Sequence, residues 1–173
     1  MLHEENMVLD DVVKNRGVPD LETYRTLIEG FFKKGEMLQA LKLLHAMLKE
    51  YCLPEINTCS TLIKGFCSKQ QVPEAYMLVS LLLDKDYIDV SDIYSVFISA
   101  LCRSGNVNEA LKAFNQSTSK GCAPDTESCK ILIDTLHSAG RIKEAHTVLT
   151  KISLDGSNEK LFVMTQAVHS LLN

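Results

Sequence analysis

The apolar positions recur along this chain with a helical spacing that is broken at regular intervals. Tyr24, Leu27, Ile28 and Phe31 follow i, i+3, i+4, i+7, the buried stripe of one amphipathic helix. Gly35 comes next and predicts a stop, because glycine enters the left-handed C-cap conformation without strain. A second stripe then runs through Met37, Ala40, Leu41, Leu44, Met47 and Leu48. Pro54 closes the pattern, since a residue without a backbone N–H cannot continue a helix. The spacing therefore predicts a hairpin of two helices between Leu21 and Glu55.

The same hairpin is predicted three more times, in register and without gaps, over 56–90, 91–125 and 126–160. Aligned in four 35-residue frames, the eighth column reads Ile28, Ile63, Ile98, Ile133, and the seventh Leu27, Leu62, Phe97, Leu132. The twentieth reads Ala40, Ala75, Ala110, Ala145, a small residue where two helices cross. The fifteenth holds Gly35, Gly105 and Gly140, with Gln70 as the exception. Pro73 falls in a predicted first turn, where its missing donor is harmless. Residues 1–20 read as the second helix of a preceding unit, and 161–173 as the first helix of a following one. One hairpin cannot bury both of its apolar faces, whereas stacked copies can. The expected fold is all-α, a right-handed α-solenoid of stacked helix-turn-helix repeats with the first helices lining the concave side.

Composition narrows the chemistry. Of 173 residues, 46% are hydrophobic and 23% charged, which suits a folded chain. The net charge of −4 supplies no overall field toward nucleic acid, so any such surface must be local. No apolar run is long enough to span a membrane, and no membrane partner is expected. The six cysteines form no C-x-x-C pair; they share repeat columns as Cys52 with Cys122, Cys59 with Cys129 and Cys67 with Cys102, and read as packing residues. No histidine motif with metal-ligand spacing occurs, and neither metal nor cofactor is expected. With no nucleophile elbow, glycine-rich phosphate loop or paired-carboxylate site, catalysis is not expected either.

Several segments carry a family resemblance. They are Thr23–Ile28 with Gly35, Gln39–Ala40 and Pro54–Glu55, then Thr58–Ile63 with Glu74–Ala75. Tyr94–Ile98 with Gly105, Glu109–Ala110 and Pro124–Asp125 follows, and last Ile131–Ile133 with Gly140 and Glu144–Ala145. The chain resembles the pentatricopeptide repeat (PPR) family along essentially its whole length, in the pure P-type class of uniform units. The tetratricopeptide repeat is the nearest competitor, but its period is 34, and this chain keeps 35 in every copy and lacks tryptophan.

The resemblance implies binding of single-stranded RNA, one base per repeat, read by the fifth and last residues of each unit. Those positions are Arg25 with Glu55, Ser60 with Val90, Ser95 with Asp125, and Lys130 with Lys160. Ser95 with Asp125 is similar to a guanine-reading pair, and the chemistry agrees. A carboxylate only accepts hydrogen bonds, and the guanine edge offers two adjacent N–H donors. Val90 cannot read an edge, so base choice there should be loose. Arg25 and Lys130 are expected on phosphate instead. Lys33 and Arg103 share the thirteenth column, where the resemblance implies a cation on the RNA backbone.

One column departs from the family pattern. The second residues are Glu22, Asn57, Asp92 and Glu127 where the family carries an aliphatic side chain. The three acids suit the first turn of a helix but oppose a phosphate path. They motivate an alternative, a degenerate helical-repeat scaffold that binds protein partners. The resemblance further implies an organellar transcript as target, in RNA processing, stability or translation, within a mitochondrion or, second, a chloroplast. Glu4, Glu5, Asp10 and Asp11 precede the first arginine, Arg16, so a transit peptide is not expected in these residues.

Overall fold

A computed structural model describes residues 20–49, 54–83 and 89–154. Among these residues eight helices form, paired within the four frames. They are α1 (Leu21–Lys34) with α2 (Met37–Lys49), α3 (Ile56–Ser68) with α4 (Val72–Leu83), α5 (Val90–Arg103) with α6 (Val107–Ser119), and α7 (Thr126–Ser138) with α8 (Ile142–Leu154). The half repeats expected at 1–20 and 161–173 fall, Asp20 apart, outside the described residues.

Consecutive first helices pack on one another, α1 on α3, α3 on α5 and α5 on α7. Each second helix packs on its own first helix, and α2, α4 and α6 also meet the first helix of the next unit. The result is the expected all-α solenoid, in which first helices form a continuous inner row. Its core is a row of small layers rather than one centre. Tyr24, Ile28, Leu44, Ile63, Phe66, Leu78, Phe97, Phe114 and Leu132 are all buried in it. The column alanines Ala40, Ala75 and Ala110 are fully enclosed, so the backbones of paired helices come close where they cross. Filling these layers, at roughly 1.5–3 kcal/mol per large apolar side chain, is what opposes the entropy of ordering the chain.

Both ends of the helices follow local chemistry. Gly35, with φ of 81°, turns its N–H back to the Phe31 and Phe32 carbonyls. Gly105 and Gly140 repeat this left-handed turn, and Gln70 adopts it as well, with φ of 60°. The Gln70 amide compensates by binding the next turn. Its Nε2 donates to the Ser104 carbonyl at 2.9 Å, and its Oε1 accepts from Asn106 Nδ2 at 3.0 Å. At the helix starts, Asp20, Glu55 and Asp125 are the N-caps of α1, α3 and α7. Val90 has no side-chain oxygen for this role. The cap of α5 therefore moves back one residue to Asp89, whose carboxylate accepts from Ser91 N at 2.8 Å, and α5 gains Val90 as its first residue.

Cys59, Cys67, Cys102 and Cys129 are buried, as their columns suggest, and Cys122 is half-buried; Cys52 lies outside the described residues. Burial pushes the Cys59 and Cys67 thiols up to about 12 and Cys102 to about 11. They are inert packing groups at neutral pH.

Candidate functional site

The row of first helices brings fifth-column and last-column residues together at two junctions between units: Arg25 and Glu55 line one cleft, and Ser95 is bonded to Asp125. At the first junction, Arg25 Nη2 sits 2.7 Å from Glu22 Oε1. That hydrogen bond, with added attraction from Glu29 and Glu55, holds the guanidinium still more firmly in its charged form. The second-column acid thus engages the fifth-column cation of its own unit. Glu55 is exposed, and its side chain makes no capping bond. A cleft of about 360 Å³ opens between α1 and α3, lined by Arg25, Glu29, Phe32, Lys33, Glu55 and Asn57 among others. Two cations face two carboxylates there, so the cleft carries no net charge.

The second junction differs in sign. Lys64, Ser68, Ala100, Arg103 and Ser104 line a cleft of about 350 Å³ between α3 and α5, with two cations and no carboxylate. Arg103 was expected to face this way; Lys64 was not singled out by the sequence. The signal was available, since Lys64 lies one helical turn before the thirteenth column and so on the same face. Ser60 and Val90, the reading candidates at this junction, are both half-buried.

At the third junction Ser95 and Asp125 are joined directly. Ser95 Oγ donates to the Ser91 carbonyl at 2.8 Å and accepts the Asp125 backbone N–H at 2.8 Å. Asp125 is exposed, and its Oδ1 accepts from Ser128 N at 2.7 Å, capping α7. No such link joins Arg25 to Glu55 or Ser60 to Val90 among the described residues. Lys130 is exposed on α7, while Lys160 lies outside the described residues. Lys33 and Arg103 are both exposed, as are Glu22, Asn57, Asp92 and Glu127. Among the described residues no group of side chains could hold a metal ion, and no helix is long and apolar enough to cross a membrane.

Comparison with known proteins places this architecture. No curated protein matches significantly. Of solved structures, the pentatricopeptide repeat protein PPR10 from maize superposes with a TM-score of 0.64 at 21% identity, over 96% of this chain and 23% of that one. PPR10 in complex with an 18-nt psaJ RNA element superposes with a TM-score of 0.58 at 22% identity, over 90% of this chain and 23% of that one. The chain therefore spans about a quarter of the length of the solved structures it matches. The model of the PPR repeat family matches residues 19–80 and 91–138, well over half of the sequence. By its 35-residue units, their paired helices and this match, the chain belongs to the PPR repeat family.

Proposed function

We propose that this protein binds single-stranded RNA along the inner row of first helices, one base per repeat, and acts by occupying or remodelling the strand rather than by chemistry. The observation that carries the reading is the exposed Asp125 carboxylate, which is fixed at a junction between units and keeps one oxygen clear of the helix cap. An ionised carboxylate accepts from the two adjacent N–H donors of a guanine edge, whereas every other base sets an acceptor next to its donor. Lys64 and Arg103 supply backbone attraction at the preceding junction, and Lys33, Arg25 and Lys130 add cations along the same row. The reading is supported by the fold shared with PPR10, a protein whose structure has been solved with an RNA element.

The target in this proposal is an organellar transcript, and the process its maturation, stability or translation. The mitochondrion is the first choice of compartment and the chloroplast the second, on the family resemblance alone. RNA binding measured across salt concentration tests the interface. Affinity should fall as salt rises, and a flat response would remove the phosphate contacts. Asp125→Asn should change the base preferred at one position. An unchanged preference would remove Asp125 as a reader.

A second reading has its own observation. Glu22, Asp92 and Glu127 stand exposed at the starts of three first helices, where they oppose a phosphate path. In that reading the array is a scaffold for protein partners. Partners recovered equally before and after ribonuclease treatment, with no RNA crosslinked, would favour it.

A further inference from the structure

We propose that the outer face of the second helices, centred on Met77 of α4, is a docking surface for a partner protein, which lays an amphipathic helix with acidic edges across it. The inference is independent of the RNA-binding reading, because it uses the side of each second helix turned away from the first helices.

In each second helix the twentieth-column alanine is buried, and the eighteenth, twenty-second and twenty-fifth columns lie on the opposite side. Among the described residues no carboxylate occupies those columns or the twenty-ninth, where Asp84 lies outside the described residues. The twenty-second column instead sets Lys42, Met77 and Lys112 on α2, α4 and α6 in turn. Met77 is 63% exposed, more than any other large apolar side chain described, and Leu38 on α2 follows at 53%. Around Met77 the helix carries no charge from Ala75 to Leu83. An exposed apolar patch of this kind marks a contact surface.

The cations beside the patch are held in place. Tyr76 Oη donates to the Glu109 carbonyl at 3.3 Å, which joins α4 to α6, and Lys112 Nζ lies 4.9 Å from the centre of the Tyr76 ring. Lys112 also reaches Glu109 Oε2 at 3.4 Å, and an ammonium has three hydrogens to donate. Of the nineteenth-column acids next to the face, Glu109 and Glu144 are paired with Lys112 and Arg141, and Glu74 is half-buried.

An apolar centre between cations selects the partner. A phosphate chain would meet the lysines but leave Met77 and Leu38 beneath a charged strand. A bilayer takes up a broad apolar face, and this one is narrow and bordered by lysines. A protein helix with apolar residues at i, i+3, i+4 and i+7 and carboxylates at its edges satisfies both features. Methionine suits such a contact, since its unbranched, polarisable side chain adapts to the surface it meets.

The test uses the whole chain and two synthetic helical peptides that share one leucine stripe, edged with glutamates in one and lysines in the other. The acidic peptide should bind about fivefold or more tightly than the basic one, the worth of two surface ion pairs. Its addition should shift the Met77 methyl resonance and leave those of the buried Met37 and Met47 in place. Met77→Glu should weaken the acidic peptide about tenfold or more, from the lost burial of one methionine. Because Met77 is exposed, the denaturant midpoint should not change, which separates lost docking from lost fold. Lys42→Ala with Lys112→Ala should narrow the gap between the two peptides, and Lys64→Ala with Arg103→Ala should leave it as it was. Equal affinity of the two peptides, or parental affinity in Met77→Glu, overturns the inference. So does a loss in Met77→Glu of binding to single-stranded RNA or to phosphatidylserine vesicles in place of the acidic peptide. Failure of the RNA reading on the first helices would leave each of these outcomes unchanged.

Discussion

The Phe32 ring occupies the space that any side chain on Gly65 would enter: a Cβ at Gly65 would lie 2.0 Å from Phe32 Cε2. Phe32 belongs to the twelfth column, where the other units carry Cys67, Cys102 and His137, and Gly65 to the tenth, where the next two carry Ala100 and Thr135. A large residue in one unit is thus met by the smallest one in the next. Cys102 and Thr135 occupy the same two columns at the third junction. Gly65→Ala should destabilise the protein by about 1–2 kcal/mol, because overpacking exceeds the gain in helix propensity. In a Phe32→Cys background the same change should stabilise. Denaturant midpoints of the two single variants and the double variant measure this reversal of sign.

Gln70 shows a second local compensation. It takes the left-handed conformation that Gly35, Gly105 and Gly140 adopt at the same column, at a strain of about 1–2 kcal/mol for a residue with a Cβ. Its amide in return ties two turns together through Ser104 and Asn106. Gln70→Ala keeps the strain and loses the bonds, so it should destabilise by about 1–2 kcal/mol. Gln70→Gly loses the same bonds but relieves the strain, and should be the more stable of the two. Thermal or denaturant unfolding of both variants checks the order.

The buried thiols set a sensitivity to alkali. In the unfolded chain they ionise near 9.0, whereas in the folded protein Cys59 and Cys67 hold their protons to about 12 and Cys102 to about 11. Between those values the folded state binds more protons, so stability is fully present below about pH 9 and falls as pH rises above it. Denaturant midpoints across that range should decline, and less steeply in Cys67→Ala. Under native conditions an alkylating reagent should label the half-buried Cys122 before Cys59, Cys67, Cys102 or Cys129.

The two clefts should respond differently to loss of charge. Lys64 and Arg103 meet no carboxylate in theirs, whereas Arg25 is already neutralised by Glu22 at 2.7 Å. Lys64→Ala and Arg103→Ala should each reduce the salt dependence of RNA affinity, by about 0.7 in the log–log slope per lost phosphate contact. Arg25→Ala should change it less. Equal slopes for the three variants would show that charge pairing on α1 does not matter for binding.

The repeat period made most of the fold legible. A stripe every turn, a left-handed stop and a proline define each hairpin, and four copies in register leave stacking as the way to bury them. The cysteine columns were readable for the same reason, since equivalent positions meet equivalent surroundings. The start of α5 was a local matter as well: Val90 cannot cap a helix and Asp89 can. Much less of the candidate site could be read this way. Lys64 gained significance only when α3 and α5 set it across a cleft from Arg103.

The sequence by itself determined the helices, their pairing, the glycine turns and the set of side chains on the inner row, because burial and capping depend on neighbours within a few residues. Only the tertiary structure decided which of those side chains remain available. Glu22 claims Arg25, the Ser95 hydroxyl is committed to the Asp125 backbone, and Asp125 keeps a single oxygen clear of its cap. The physical reason is one of range. A hydrogen bond depends on the placement of its partner to within tenths of an ångström, and for Ser95 and Asp125 that placement is set by how one unit stacks on the next, 30 residues away.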